Sequence, residues 1–119
     1  MSDPITVYGI ANCDTVKKAR AWLDERGVDY RFHDFRKQGL PLDRVDGWIA
    51  AAGWEALVNR KGTTWRKLDS GLRDSVVDPA TARDLMAQQP SVVKRPVVEW
   101  DGAITVGFDP RRWEQMAAG

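Results

Sequence analysis

The sequence has no second cysteine. Cys13 stands alone among 119 residues, so no internal disulfide can form, and the chain suits a reducing cytoplasm better than secretion. Histidine is also single, at His33, and no group of His, Cys, Asp or Glu has the spacing of metal ligands. Neither sign of charge is in excess. The formal net charge is +1, with lysines and arginines spread along the chain, which argues against a dedicated nucleic-acid surface. No apolar run approaches the roughly 18 residues of a membrane span. The opening "MSDPITVYG" lacks a basic stretch followed by an apolar one, so it does not read as a signal peptide. "NRKGTTW" contains a glycine but not the spacing of a phosphate-binding loop. Repeats, low-complexity segments and flexible linkers are missing as well. What remains is one cytoplasmic globular domain over residues 1–119, long enough for a real core.

What is present falls into a clear order. Ile5 to Ile10 reads as a short strand after Pro4. Val16, Ala19 and Leu23, with Trp22 beside them, form a helical stripe that Gly27 stops. "VDYRFHDF" alternates as a second strand, so the chain opens with a βαβ unit whose strands run parallel. A helical middle follows. Leu42, Val45 and Ile49 share one face ahead of Gly53, and "WEALVNRKGTTWRKLD" reads as a short helix, a glycine-containing loop and another short turn. "DPATARDLMAQQP" is a helix with Asp78 as N-cap, Pro79 at its first position and Pro90 as terminator. "RPVVEWDGAITVGF" is two apolar runs joined at Asp101-Gly102, a hairpin signal. "DPRRWEQMAAG" begins a last helix that turns Trp113 and Met116 inward. The order β-α-β, helices, β-β-α is the thioredoxin-type α/β arrangement: a mixed four-stranded sheet, with a helical insertion at about residues 41–89.

Cys13 lies where the first strand hands over to its helix. A sulfur there meets free backbone N–H groups and the positive end of the helix dipole. Such sites favour thiolate over thiol and lower the pKa from about 8.5 into the range of roughly 3.5–7.5. Lys17 and Lys18 would assist, whereas Asp14 would oppose. Asn12 and the amides after Cys13 would fix the sulfur. The opposing view is a buried thiol acting as a small hydrophobe, which the polar setting "NCDTVKK" does not favour. Position 16 is Val rather than the second cysteine of a C-x-x-C pair. Any oxidised species on Cys13 must therefore be resolved by a thiol from outside, such as glutathione. His33, in mid-strand, reads as a sheet-surface residue rather than a general base. Trp22, Trp48 and Trp113, among six tryptophans, read as packing residues rather than stacking platforms for nucleic acid.

Three segments, "YGIANCDTVKKARAWL", "LVNRKGTTWRKLD" and "VVKRPVVEWDGAITVGF", give the chain its likeness. Together they resemble the ArsC/Spx family, and within it the YffB-like subgroup of arsenate-reductase-like thioredoxin-fold proteins. The resemblance covers nearly the whole chain. It implies that Cys13 is the nucleophile and that Arg60 and Arg95 hold an anion, a task suited to the planar guanidinium fork. It also implies that Arg95-Pro96 is the cis bond that precedes the third strand of this fold, turning the backbone beside Cys13 toward a bound substrate. The family's third arginine would fall at Gly107-Phe108, with Arg111 and Arg112 close behind. Its loss counts against efficient arsenate reduction and leaves room for another anionic thiol substrate.

The expected function is therefore a monothiol oxidoreductase with no bound cofactor or metal and with glutathione as co-substrate. The alternative is an Spx-like, non-enzymatic regulator docking on the RNA polymerase α subunit. Without a cysteine pair, such a regulator would have no internal disulfide switch.

Overall fold

The computed structural model describes residues 5–118; Pro4, read as the boundary of the first strand, lies outside them. The apolar run ITVYG forms β1 (Ile5–Gly9). The alternating YRFHD forms β2 (Tyr30–Asp34), paired parallel to β1 from Ile5 opposite Tyr30 to Gly9 opposite Asp34. Between them runs α1 (Asp14–Glu25), which buries Val16, Ala19, Trp22 and Leu23 at the three- and four-residue spacings that keep a stripe on one helical face. It starts two residues earlier than the apolar stripe. Gly27, at φ +66, follows its C-terminus in a backbone region that glycine enters without a Cβ penalty.

The hairpin lies on the other side of β1. Strand β3 (Val97–Trp100) pairs antiparallel with β1, setting Val98 opposite Val7. Strand β4 (Ala103–Val106) pairs antiparallel with β3 across the Asp101-Gly102 turn, where Gly102 has φ +83. The sheet order is β2-β1-β3-β4: an α/β, thioredoxin-like fold with a mixed four-stranded sheet.

The chain divides into two compact units. One runs to Gly39 and resumes at Arg95; the other is Leu40–Lys94. The first holds the sheet, α1, α2 (Phe35–Gln38) and the last helix, here called α8 (Pro110–Ala118). Its core gathers Val7, Ala19, Trp22, Leu23, Val98, Trp100 and Trp113. Trp113 is fully buried and meets Trp22, Trp100 and Phe108 edge-on at centroid distances of 5.7, 5.3 and 4.8 Å, the geometry that aromatic quadrupoles prefer. The Trp100 indole N–H donates to Thr105 Oγ1 at 2.9 Å, so that buried polar pair is satisfied.

The second unit is helical: α3 (Leu42–Ala52), α4 (Trp54–Leu57), α5 (Thr63–Lys67), α6 (Ser70–Asp74) and α7 (Pro79–Gln88). In α3 the buried residues are Val45 and Trp48, with Leu42 and Ile49 half-buried. The inward face is thus rotated toward the large indole. The short α6 is additional to the expected elements. Beyond Gln89 the unit continues through a 3-10 turn (Pro90–Val92) to Val93, which bridges antiparallel to Val58.

Helix α7 carries a reciprocal cap: Asp78 Oδ1 accepts from the Thr81 amide at 2.8 Å while Thr81 Oγ1 accepts from the Asp78 amide at 3.1 Å. Asp78→Ala is expected to lower the melting temperature by a few degrees while leaving Cys13 reactivity unchanged, as read by thermal denaturation and thiol labelling together.

Among the described residues, no helix is long and apolar enough to cross a membrane, and no cluster of three His, Cys, Asp or Glu could hold a metal ion.

Candidate active site

Cys13 owes its position to four residues. Strand β1 ends at Gly9, Ile10 is buried, and the Cys13 amide donates back to the Ile10 carbonyl at 3.1 Å, closing the turn through Ala11 and Asn12. Cys13 then serves as the N-cap of α1 with extended backbone angles, φ −104 and ψ 127. The first turn of α1 is seated directly on the end of β1. A Cβ built on Gly9 would stand 2.8 Å from Val16 Cγ2, closer than carbon atoms tolerate, so a larger residue there would force Val16 or the helix to shift.

The sulfur is half-buried. It closes no cap hydrogen bond of full geometry, yet its surroundings favour its charged form. Partial burial pushes the Cys13 thiol up. The Val16 amide, the Arg95 guanidinium (by hydrogen bond and by charge) and the Thr15 amide outweigh that push and leave its pKa below the ordinary thiol value. Lys17, Lys18 and Asp14 are exposed and none of them is among the groups that move it. The tuning comes from the backbone of the first turn and from one cation delivered just ahead of β3.

The lowered pKa has a consequence for stability. The thiolate is bound more favourably by the folded than by the unfolded chain, so this contribution is fully present above the unfolded thiol value, about 8.5. It fades as pH falls through the lower folded-state value. Stability measured relative to Cys13→Ser is therefore expected to rise with pH across that window. Urea unfolding of both proteins over a pH series tests this, and parallel curves would contradict it.

The residues singled out in the sequence separate on inspection. Cys13 and Arg95 come together. Pro96 follows Arg95 through a cis peptide bond, is buried, and accepts the Gly107 amide on its carbonyl at 2.9 Å. Asn12 is exposed and makes no side-chain hydrogen bond among the described residues. Arg60 belongs to the second unit, where its guanidinium lies 5.3 Å from the centroid of the Trp54 ring and 4.0 Å from Glu55 Oε2. His33 rests on the sheet, with Nε2 2.8 Å from the Gly39 carbonyl oxygen and its ring 5.2 Å from that of Tyr8. At the position of the expected third arginine, Gly107 has φ +84, and Phe108 is committed to the Trp113 ring.

One residue near the site gave little sign of itself in the sequence. Asp34, at the end of β2, is only 6% exposed. Burial pushes its carboxyl up, but the amides of Arg36, Ala11 and Lys37 and the Lys37 charge hold it below the usual carboxylate range. The available signal was its place just before "FRKQG", where an aspartate can cap a helical turn.

Comparison with known proteins came down on one family. The sequence model of the ArsC family matches residues 8–116. The solved structure of an arsenate reductase (ArsC) related protein from Brucella melitensis is 52% identical, with a TM-score of 0.75, covering 97% of this chain and 95% of that one. The solved structure of a YFFB protein is 46% identical, with a TM-score of 0.89, covering 94% of this chain and 97% of that one. A global transcriptional regulator, Spx of Streptococcus pyogenes, is 25% identical over 107 residues, which is 88% of this chain and 78% of the relative.

Proposed function

The chain belongs to the ArsC family, and on that premise we propose that it is a glutathione-dependent monothiol reductase whose nucleophile is Cys13. The observation that carries the proposal is the meeting of the Cys13 sulfur with the Arg95 guanidinium at the start of α1, in a sequence with no other cysteine. The thiolate attacks one sulfur of an oxidised substrate, such as a mixed disulfide with glutathione. The S–S bond of the substrate breaks, its other sulfur leaves as a thiolate, and a new disulfide joins Cys13 to glutathione. A second glutathione thiolate then attacks that bond, freeing Cys13 and leaving as glutathione disulfide. The mixed disulfide and one free glutathione thiol thus become the substrate thiol and glutathione disulfide, so the incoming glutathione is the reductant. Arg95 steadies the attacking thiolate and an anionic group of the substrate. This chemistry belongs in a reducing cytoplasm, where thiols are kept available.

Arsenate is a poorer fit. An arginine at Gly107 would need a left-handed backbone, costing about 1–2 kcal/mol, and one at Phe108 would forfeit the ring contact with Trp113. Arg60 is a second anion-holding residue in this proposal by family likeness. Wild-type turnover of arsenate with glutathione is accordingly expected to be weak.

The test is intact-mass analysis after incubation with glutathione disulfide. One glutathione should add to the wild type, none to Cys13→Ser, and fresh glutathione should release the adduct. A wild type that stays unmodified, with Cys13 titrating as an ordinary thiol, would overturn the mechanism. The Spx likeness favours a second function, regulation by docking on the RNA polymerase α subunit. Capture by the C-terminal domain of that subunit, unchanged in Cys13→Ser, would establish docking in place of catalysis.

A further inference from the structure

We infer that Asp34 is a positioning residue for the Cys13 nucleophile: its buried carboxylate pins the Ala11 amide and so fixes the turn that sets the sulfur at the head of α1. The inference rests on Cys13 being the nucleophile.

The geometry supports it in three steps. The first is placement. Asp34 is paired in register with Gly9, the last residue of β1, so its side chain stands beside the segment that climbs from Ile10 to Cys13. Its Oδ2 accepts from the Ala11 amide at 3.3 Å, across 23 residues of sequence. That contact is a brace from outside the turn, complementing the Cys13 amide bond to Ile10 within it.

The second step is rigidity. Asp34 Oδ1 accepts from the Arg36 amide at 2.8 Å, while the Asp34 amide donates to Gln38 Oε1 at 3.0 Å. The carboxylate is thereby held by its own short helix before it reaches Ala11. The Arg36 contact has the short length of a charge-assisted bond and the Ala11 contact, at 3.3 Å, is longer; being nearly excluded from solvent, the carboxylate has few other orientations. Here one buried anion joins the end of β2 to the turn ahead of the nucleophile.

The third step is what the turn controls. The amides that favour the Cys13 thiolate, those of Val16 and Thr15, belong to α1, whose first turn is seated on Gly9. The sulfur sits at the junction itself: the Cys13 carbonyl accepts from the Lys17 amide of α1 at 2.9 Å, and on its other side Cys13 ends the segment Ala11–Cys13. Its distance to those amides and to Arg95 depends on how that segment is held. The Asp34 charge is not among the groups that act on the sulfur, so its influence passes through backbone placement. Nearby positive groups do not offer the same service, since Lys17, Lys18, Arg36 and Lys37 are all exposed.

The experiment compares wild type, Asp34→Ala, Asp34→Asn and Gln38→Ala by the pH profile of iodoacetamide alkylation at Cys13, with thermal denaturation alongside. Asp34→Ala is expected to raise the apparent Cys13 pKa and to slow alkylation at neutral pH by roughly two- to tenfold, the worth of one lost hydrogen bond. Asp34→Asn, which keeps one acceptor oxygen, should fall between Asp34→Ala and wild type, and it carries the test if the alanine variant does not fold. Gln38→Ala removes one contact that holds Asp34 but leaves its carboxylate on Ala11, and should shift the profile less than Asp34→Ala does. An unchanged profile in Asp34→Ala or Asp34→Asn, or an equal shift in Gln38→Ala, overturns the positioning role while the reactive Cys13 of the wild type stands. An ordinary, unreactive Cys13 in the wild type instead removes the nucleophile itself, and the positioning role with it.

Discussion

Arg95→Met is expected to slow alkylation of Cys13 at neutral pH by roughly tenfold and to move the midpoint of its pH profile upward. Methionine keeps much of the length and apolar stem of arginine but removes the hydrogen bond and the positive charge that Arg95 brings to the sulfur. A hydrogen bond to a charged group is worth about 1.5–3 kcal/mol, and a half-exposed sulfur in partly screened surroundings takes the lower end of that range. At about 1.4 kcal/mol per factor of ten, the lower end is one order of magnitude. The Val16 and Thr15 amides remain in the variant, so the shift is partial, while burial still pushes the thiol up. Arg95→Lys restores charge without the planar fork and should recover only part of the rate. A midpoint that stays put in Arg95→Met would mean that the helix terminus alone sets the reactivity.

Val16→Cys should convert the chemistry from one thiol to two. Val16 is fully buried, three residues past the N-cap, and its amide faces the sulfur. Residues three apart in helical geometry have Cα atoms about 5 Å apart, inside the disulfide range of about 4.4–6.8 Å. A sulfur at position 16 would therefore stand ready to attack a Cys13–glutathione disulfide. It would expel glutathione and leave an internal disulfide, with no second glutathione consumed in that step. Tethered groups outcompete dissolved ones through their effective concentration, so the adduct that accumulates on wild type should discharge at least roughly a hundredfold faster. Losing the branched side chain should cost about 1 kcal/mol of stability. Intact-mass analysis under non-reducing conditions reads the outcome. A glutathione adduct that persists on Val16→Cys would show that the two positions cannot meet.

These two sites were legible to different degrees. The place of Cys13 followed from a strand signal running into a helical stripe, which is local information. Arg95 came through family likeness, because nothing in "VVKRPVV" by itself says that its arginine folds back 82 positions to a cysteine. Lys17 and Lys18 looked like the natural partners of the sulfur on the strength of proximity in sequence. In the fold they lie exposed, and the backbone amides that act instead carry no residue signature. Asp34 was harder still. A lone carboxylate after an alternating strand looks like any solvated aspartate until β2 is laid against β1 and the Ala11 amide comes within reach.

Among the larger elements, the stripe of α1, the capped and proline-marked ends of α7 and the Asp-Gly hairpin were plain, since each has a 3.6-residue period, end signals or a turn dipeptide. Helix α6 was not, because five residues are too few to show a period and its start is marked by one side-chain contact, Asp69 Oδ2 accepting from the Gly71 amide at 3.0 Å. The face of α3 turned toward Trp48 rather than Ile49 for a similar reason: choosing between neighbouring apolar residues is a matter of volume, which periodicity does not weigh.

The nest of rings around Trp113 gives the molecule a built-in optical gauge. Trp22, Trp100 and Trp113 stand within 6 Å of one another's centroids in the two pairs that share Trp113, and all three belong to the unit that carries Cys13. Trp48, Trp54 and Trp65 belong to the other. The coupled transitions of this trio in the near-ultraviolet dichroism arise within the sulfur-bearing unit, so a change in their band reports on the packing around Trp113.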